Sequence, residues 1–381
     1  MRGTELSPER HATDIDENED ILAVVGAGAW GTALAALEAR GFRRVNLHTL
    51  EASAVEEINR FHSNTAYLPD LILPSNVIAT GRLEEAVEGA STVIIAVPSG
   101  AFREVARVVL QSCRRRARVV LATKGMETGT AMLSLEVWRE EAAAAEVARR
   151  RRDALVLSGP NLAVEISRGM PAVSSIAGTD ASEVRRAARA LSTGLLALVP
   201  FGDPLGAQAF GAMKNVYAIG CGMSAALRWG DNANAAILWR GLDEAGRFAR
   251  AIGGTSAVVG TPAGAGDFVA TCTSPLSRNH HLGRVVAGSR GGSAVNGVRE
   301  GASTALEARR RCRALGLKLP LLEAVCSVLL GEQRPPAVLE AACGTGEVDG
   351  RERDAQTVSA GGPAGVPATT IKRSWQFAGS D

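Results

Sequence analysis

The stretch ILAVVGAGAWGTALAALEARG, residues 21–41, falls into three pieces. Ile21 to Val25 is an apolar run with the length of a buried strand. Gly26, Gly28 and Gly31 then form a G-x-G-x-x-G pattern with Ala29 and Trp30 inside it, and the alanine-rich remainder reads as a helix ending near Gly41. Strand, glycine turn and helix in that order make an otherwise weak motif informative. The first glycine permits a tight turn, the second lets a pyrophosphate approach the backbone, and the third lets helix and strand pack closely. The helix start adds unpaired N–H groups and partial positive charge, which suit a phosphate. A purely structural turn needs fewer glycines. The segment predicts dinucleotide binding.

The same alternation continues outward. RVNLHT (44–49), NVIAT (76–80), STVIIAVPS (91–99) and RVVLATKG (118–125) read as strands. ASAVEEINRF (52–61), RLEEAVEGA (82–90) and AFREVARVVLQSC (101–113) read as the helices between them. ALVLSGP (154–160) and AVSSIAG (172–178) extend the pattern. Strands alternating with helices predict an α/β fold with a doubly wound parallel sheet. From Leu205 strand patterns disappear and long helical stretches take over. The expected organisation is a disordered leader (1–19), a dinucleotide-binding domain (20–203), an all-helical domain (204–342) and a disordered tail (343–381).

Composition excludes several classes. The 381 residues are 46% hydrophobic and 22% charged with a formal net charge of +2, which fits a soluble two-domain protein. Nothing in that balance calls for a nucleic-acid or membrane partner, and the basic runs CRRRAR (113–118) and ARRRRD (148–153) read as solvated helix ends. The six cysteines form no C-x-x-C pair and the five histidines do not join them at metal spacing, so neither a zinc site nor a disulfide framework is expected. The N-terminal region is polar and acidic, without a secretory apolar segment, and no apolar run reaches membrane-spanning length. A reducing, cytoplasmic setting is the expectation.

Two side chains carry a question of their own. Glu51 lies 20 residues beyond Gly31, where a carboxylate accepts a hydrogen bond from an adenosine ribose and repels a 2′-phosphate. It could equally start the next helix. Leu50 beside it is apolar, and Arg43 and Arg44 fall at the far end of the strand, so NAD is favoured over NADP. Lys214 in GAMKNVYAIGCGM (211–223) sits at helical spacing from Phe210, Gly211, Tyr217 and Ala218. An ammonium on that stripe must reach solvent, find a partner or lose its proton.

Taken in order, GAGAWGTALA, NTAYLPDLILP, VPSGAFREV, TKGMETGT, LSGPNLAVEI, GAMKNVYAI, AGAGDFVATC, SRNHHLG and REGASTA resemble the NAD(P)-dependent glycerol-3-phosphate dehydrogenase family across roughly residues 21–342. The resemblance implies a Rossmann-type domain followed by an all-helical, 6-phosphogluconate-dehydrogenase-like domain, acting as a homodimer on a small phosphorylated substrate. By resemblance, Lys214 is the catalytic lysine, Lys124 a second lysine at substrate and cofactor, and Asp267 a substrate-site aspartate able to hold Lys214. Read alone, Lys124 is a solvated loop charge and Asp267 a turn or helix cap. The resemblance also places Gly159, Asn161, Asn215, Ser277, Arg278 and Asn279 at the substrate. Arg278 and Ala163 also fall at the cofactor, and Val298 and Glu300 at its nicotinamide end. The implied reaction is reversible reduction of dihydroxyacetone phosphate to sn-glycerol 3-phosphate, a glycerophospholipid precursor.

Some positions depart from the family pattern. Arg228 and Trp229 replace small residues, Trp239 precedes Arg240 in place of threonine, Gln208 stands where an acidic residue is common, and Pro262 where an aliphatic is. These departures leave room for a related phosphorylated or phosphonate ketone as substrate, or for a silent dinucleotide-binding protein.

Overall fold

The computed structural model describes residues 21–145, 153–288 and 300–344. Expectations for the leader, for the second basic run up to residue 152, for Val298 and for the tail beyond residue 344 lie outside the described residues.

Eight strands form one sheet in the order β3-β2-β1-β4-β5-β6-β7-β8. They are β1 (Ile21–Val25), β2 (Arg44–His48), β3 (Val77–Thr80), β4 (Thr92–Ile95), β5 (Arg118–Leu121), β6 (Leu155–Ser158), β7 (Ala172–Ala177) and β8 (Leu196–Phe201). The first six are parallel, and the chain reverses direction across the sheet between β1 and β4. That switch point opens a crevice at the strands' C-terminal ends, where Gly26 follows β1. Helices α1 (Ala29–Glu38), α2 (Ala52–Phe61), α3 (Leu83–Val87), α4 (Phe102–Ser112) and α5 (Ser134–Ala144) cover the sheet.

The expected parallel sheet holds as far as β6. β7 pairs antiparallel with β6, and β8 runs parallel to β7. Between β6 and β7 lies only the five-residue α6 (Ala163–Ser167), too short to carry the chain back across the sheet, so it turns round. β8, which follows α7 (Ala181–Leu191), gave little sequence signal. It is an edge strand carrying Pro200, where a missing N–H costs no ladder bond.

The helical domain is built on α8 (Pro204–Ala226), buried on nearly every side. A helix apolar all round belongs in a core. Around it pack α9 (Asp231–Ala251), α10 (Asp267–Thr273), α11 (Arg278–Gly288), α12 (Glu300–Ala314) and α13 (Pro320–Leu329), with α14 (Pro336–Cys343) closing the end. Tyr217 is fully buried on α8 and donates to Glu244 of α9 at 2.9 Å. The Glu244 carboxylate also accepts the N–H groups of Leu321 and Leu322 that open α13. α8 and α11 touch backbone to backbone: a Cβ on Gly222 would lie 2.0 Å from the His280 carbonyl oxygen, and one on Gly283 1.9 Å from that of Ile219.

Candidate active site

The glycine turn has the geometry its spacing implies. Gly26 has φ +104°, and a Cβ there would sit 2.8 Å from the Ala96 carbonyl oxygen at the end of β4. A Cβ on Gly31 would lie 1.8 Å from the Gly26 oxygen, so helix and turn meet only without one. Beside Gly28 nothing comes within 4 Å, and no side chain caps α1. The first-turn N–H groups of Ala29, Trp30 and Gly31 thus face an open cradle that fits a pyrophosphate. Ala29, Trp30 and Ala163 share one small apolar cluster around Ala33, Leu68 and Ile166.

Two supports of this cradle escaped the sequence reading. Asn64, fully buried, donates its amide N–H groups to the Ala27 carbonyl and to Thr32 Oγ1, both at 2.9 Å, and so pins the turn. Tyr67 donates to Glu51 Oε1 at 2.9 Å. Glu51 precedes α2 and is exposed, with Leu50 85% exposed beside it. The Tyr67 hydroxyl pKa is raised by that bond and by burial, while the charge of Arg278 works against the rise. Arg44 opens β2 and bonds Asn46, at the strand end remote from Glu51.

Asp267 gathers the charged centre. It opens α10 and is 1% exposed, at the end of the tight segment Pro262–Gly266. Its Oδ2 accepts from Lys124 Nζ at 2.9 Å, and its Oδ1 accepts from Lys214 Nζ. Lys214 also donates to Thr271 Oγ1 at 3.0 Å. Lys124, just beyond β5, donates again to the Gly159 carbonyl at 3.0 Å and stays 19% exposed. Burial pushes the Lys214 ammonium down to about 7; the like charge of Lys124 helps, and Asp267 opposes. Thr271 was not singled out from sequence, although four residues after Asp267 on one helix is the spacing of a shared face.

The remaining expected residues divide by role. Asn161 accepts from Ser174 Oγ at 2.5 Å, while its own Nδ2 is buried without a partner. A buried donor left unpaired is costly, and a bound oxygen would satisfy it. Asn215 is buried beside Lys214 on α8. Ser277 is buried and its hydroxyl accepts the His280 N–H at 3.2 Å, a helix-capping task. Arg278 is exposed at the start of α11, and Asn279 packs its amide on Gly301, where a Cβ would lie 2.0 Å away. Glu300 opens α12.

Of the departures from the family pattern, Pro262 opens the tight segment that leads into Asp267. α8 runs on from Lys214 to Ala226, about 18 Å at 1.5 Å per residue, before the turn holding Arg228 and Trp229. Trp239 is 56% exposed on α9, stacked under the Arg240 guanidinium. Gln208 has a task of its own: its Oε1 accepts the Leu135 N–H at 2.8 Å and its Nε2 donates to Ser134 Oγ at 2.5 Å.

Two family models match the chain. One described as NAD-dependent glycerol-3-phosphate dehydrogenase N-terminus matches residues 21–184, and its C-terminus counterpart matches 203–340. The chain belongs to this dehydrogenase family. A glycerol-3-phosphate dehydrogenase [NAD(P)+] of Stenotrophomonas maltophilia is 38% identical over 328 residues, covering 84% of this chain and 94% of that one. One from Xanthomonas campestris pv. campestris is 37% identical over 325 residues, covering 84% and 93%. Among solved structures, glycerol-3-phosphate dehydrogenase from Coxiella burnetii superposes with a TM-score of 0.76 at 29% identity, covering 85% of this chain and 98% of that one. Within the family frame the chain is an NAD(P)-dependent oxidoreductase acting on a CH–OH group. Among the described residues no helix is long and apolar enough to cross a membrane.

Proposed function

We propose that the chain interconverts dihydroxyacetone phosphate and sn-glycerol 3-phosphate, with Lys214 as the proton donor and acceptor. The observation that carries this reading is one buried carboxylate, Asp267, holding two lysines from two domains. Hydride for the C2 carbonyl carbon is the chemistry that a reduced nicotinamide supplies when bound at the glycine cradle. Lys214 gives its proton to the carbonyl oxygen as the alcohol forms, and takes it back in the reverse direction. Asp267 and Thr271 occupy two of its three N–H groups, which leaves the third for substrate. Lys124 holds the developing negative charge in a site shielded from water. The unpaired Asn161 Nδ2 offers a further donor to the substrate. A silent dinucleotide-binding protein has no use for this arrangement. The test is oxidation of NADH and NADPH with dihydroxyacetone phosphate beside a panel of related ketones. Turnover of another ketone alone would overturn the substrate.

Arg278 is assigned to the substrate phosphate, because a guanidinium matches phosphate geometry with two parallel bonds. A charged contact of this kind contributes about 1.5–3 kcal/mol in all, so Arg278→Ala is expected to raise KM for the phosphorylated ketone by roughly 10- to 100-fold. An unchanged KM would mean the phosphate is held elsewhere.

For the cofactor, NADH is expected to be preferred over NADPH. Glu51 keeps one oxygen on Tyr67 and leaves the other for ribose hydroxyls, and a 2′-phosphate there meets like charge. The measurement is the ratio of kcat/KM for the two cofactors at matched salt. An NADPH preference would reverse the assignment and direct attention to Arg278, whose charge reaches Tyr67.

A homodimer in the cytoplasm completes the proposal. Family resemblance supports the dimer, and sedimentation of the purified chain tests it. Burial of Cys221, Cys272, Cys312 and Cys326 as thiols suits a reducing compartment.

A further inference from the structure

Lys124 is followed by a short turn that the helical domain grips from two sides. Met126 and Leu133 close this turn as an antiparallel bridge. Ser303, Glu307 and Arg311 lie four residues apart on α12 and so share one face. All three meet the turn. Ser303 Oγ is 3.1 Å from Thr128 Oγ1, and Glu307 Oε1 accepts the Gly129 N–H at 3.0 Å. Arg311 donates to the Ala131 carbonyl at 3.0 Å and, through both terminal nitrogens, to Glu136 at 2.5 and 2.6 Å. Glu136 in turn accepts the Leu133 N–H at 2.8 Å, capping α5. Gln208, from the helix that carries Lys214, holds Ser134 and Leu135 on the other side.

This grip acts on a strained piece of chain. Ala131 has φ +57°, a left-handed conformation unfavourable for a residue with a Cβ, and Arg311 holds its carbonyl there. Gly125, at φ +103°, is the sole residue between Lys124 and the bridged turn. Lys124 is also the one member of the Lys124–Asp267–Lys214 cluster that comes from the sheet domain, so its contact with Asp267 depends on how this seam is set.

We propose that Arg311 is a positioning residue: by fixing the 126–136 turn against α12 it sets where Lys124 meets Asp267. The inference rests on the dehydrogenase reading above. Arginine suits the task because its planar fork binds Glu136 by two bonds while a further N–H reaches Ala131. The contact does not touch the glycine turn that receives the pyrophosphate, so its loss is read first in turnover.

The experiment starts from wild-type turnover of dihydroxyacetone phosphate, which tests the dehydrogenase reading by itself; the seam is read only as a ratio to it. A misplacement of about 1 Å in a catalytic group costs on the order of 100-fold, so Arg311→Ala is expected to lower kcat by about 10- to 100-fold with KM for NADH unchanged. Should that variant not fold, Arg311→Lys keeps the charge, loses the fork and serves in its place. The rescue adds Thr128→Cys and Ser303→Cys to the Arg311 variant in a Cys343→Ser background, since Cys343 is the exposed native thiol. Their hydroxyl oxygens are 3.1 Å apart, so the two side chains face each other across the seam. Oxidation is expected to restore most of the lost kcat, and reduction to remove it again in the same sample. A purely stabilising role predicts no such reversible recovery at constant folded fraction. Wild-type kcat in the Arg311 variant, a cross-link that forms without recovery, or cysteines that do not cross-link would each overturn the proposal.

Discussion

Lys214→Ala is expected to lower turnover by about 10²- to 10⁴-fold, the range for loss of a positioned acid or base, while dinucleotide affinity stays unchanged. The cradle that binds the dinucleotide lies on the sheet domain, and Lys214 lies on α8. Near-normal turnover in a folded variant would remove Lys214 from the chemistry. The native residue should also leave a signature in the pH profile. Burial and the neighbouring Lys124 bring its ammonium down to about 7 against the pull of Asp267. Ketone reduction needs the ammonium, so its kcat should be full below about 7 and fall as pH rises past it. Alcohol oxidation needs the free amine and should rise through the same pH. Profiles that move together in both directions would assign the titration to another group.

Asp267→Asn is the second large effect expected. The change keeps shape and removes the charge that compensates two ammonium groups. Breaking a buried ion pair from one side costs about 3–5 kcal/mol, because the surviving charge stays buried without its partner. Here that cost is relieved as Lys214 gives up its proton, since the carboxylate alone was raising its proton affinity. The variant should therefore melt at lower temperature and lose reduction at neutral pH, with oxidation less affected because the amine is already free. Thermal unfolding and initial rates in both directions decide this. Equal losses in both directions would mean that Asp267 acts on substrate directly.

Much of this was written into local spacing. Gly26, Gly28 and Gly31 stand where one turn needs two close backbone approaches and one open flank, and each of those demands leaves its mark on adjacent residues. The Lys214 stripe was visible for the same reason, since helical periodicity shows at once that a charge has an apolar setting. Its resolution was not visible. Lys124 and Asp267 are separated by 143 positions, and only family resemblance brought them together beforehand. Thr271, Asn64 and Tyr67 were passed over because each is an ordinary polar residue whose task appears only when a distant segment folds beside it. β8 was missed because an edge strand with a proline keeps half its pattern in water. Gln208 looked like a departure from pattern, and its reason lay in Ser134 and Leu135, over 70 positions away.

The glycine contact between α8 and α11 has a consequence for anyone wishing to redesign this enzyme. With no side chains at Gly222 and Gly283, the two backbones act as a fixed ruler between the helix of the proton donor and the helix that begins at Arg278. Any larger residue at either position would force the helices apart, so the gap between Lys214 and Arg278, the proposed acid and phosphate clamp, cannot be retuned there by small steps. A longer or bulkier substrate would have to be accommodated at the 274–277 connection that leads into α11. The contact thus fixes the spacing between the two helices, whatever side chains the site carries.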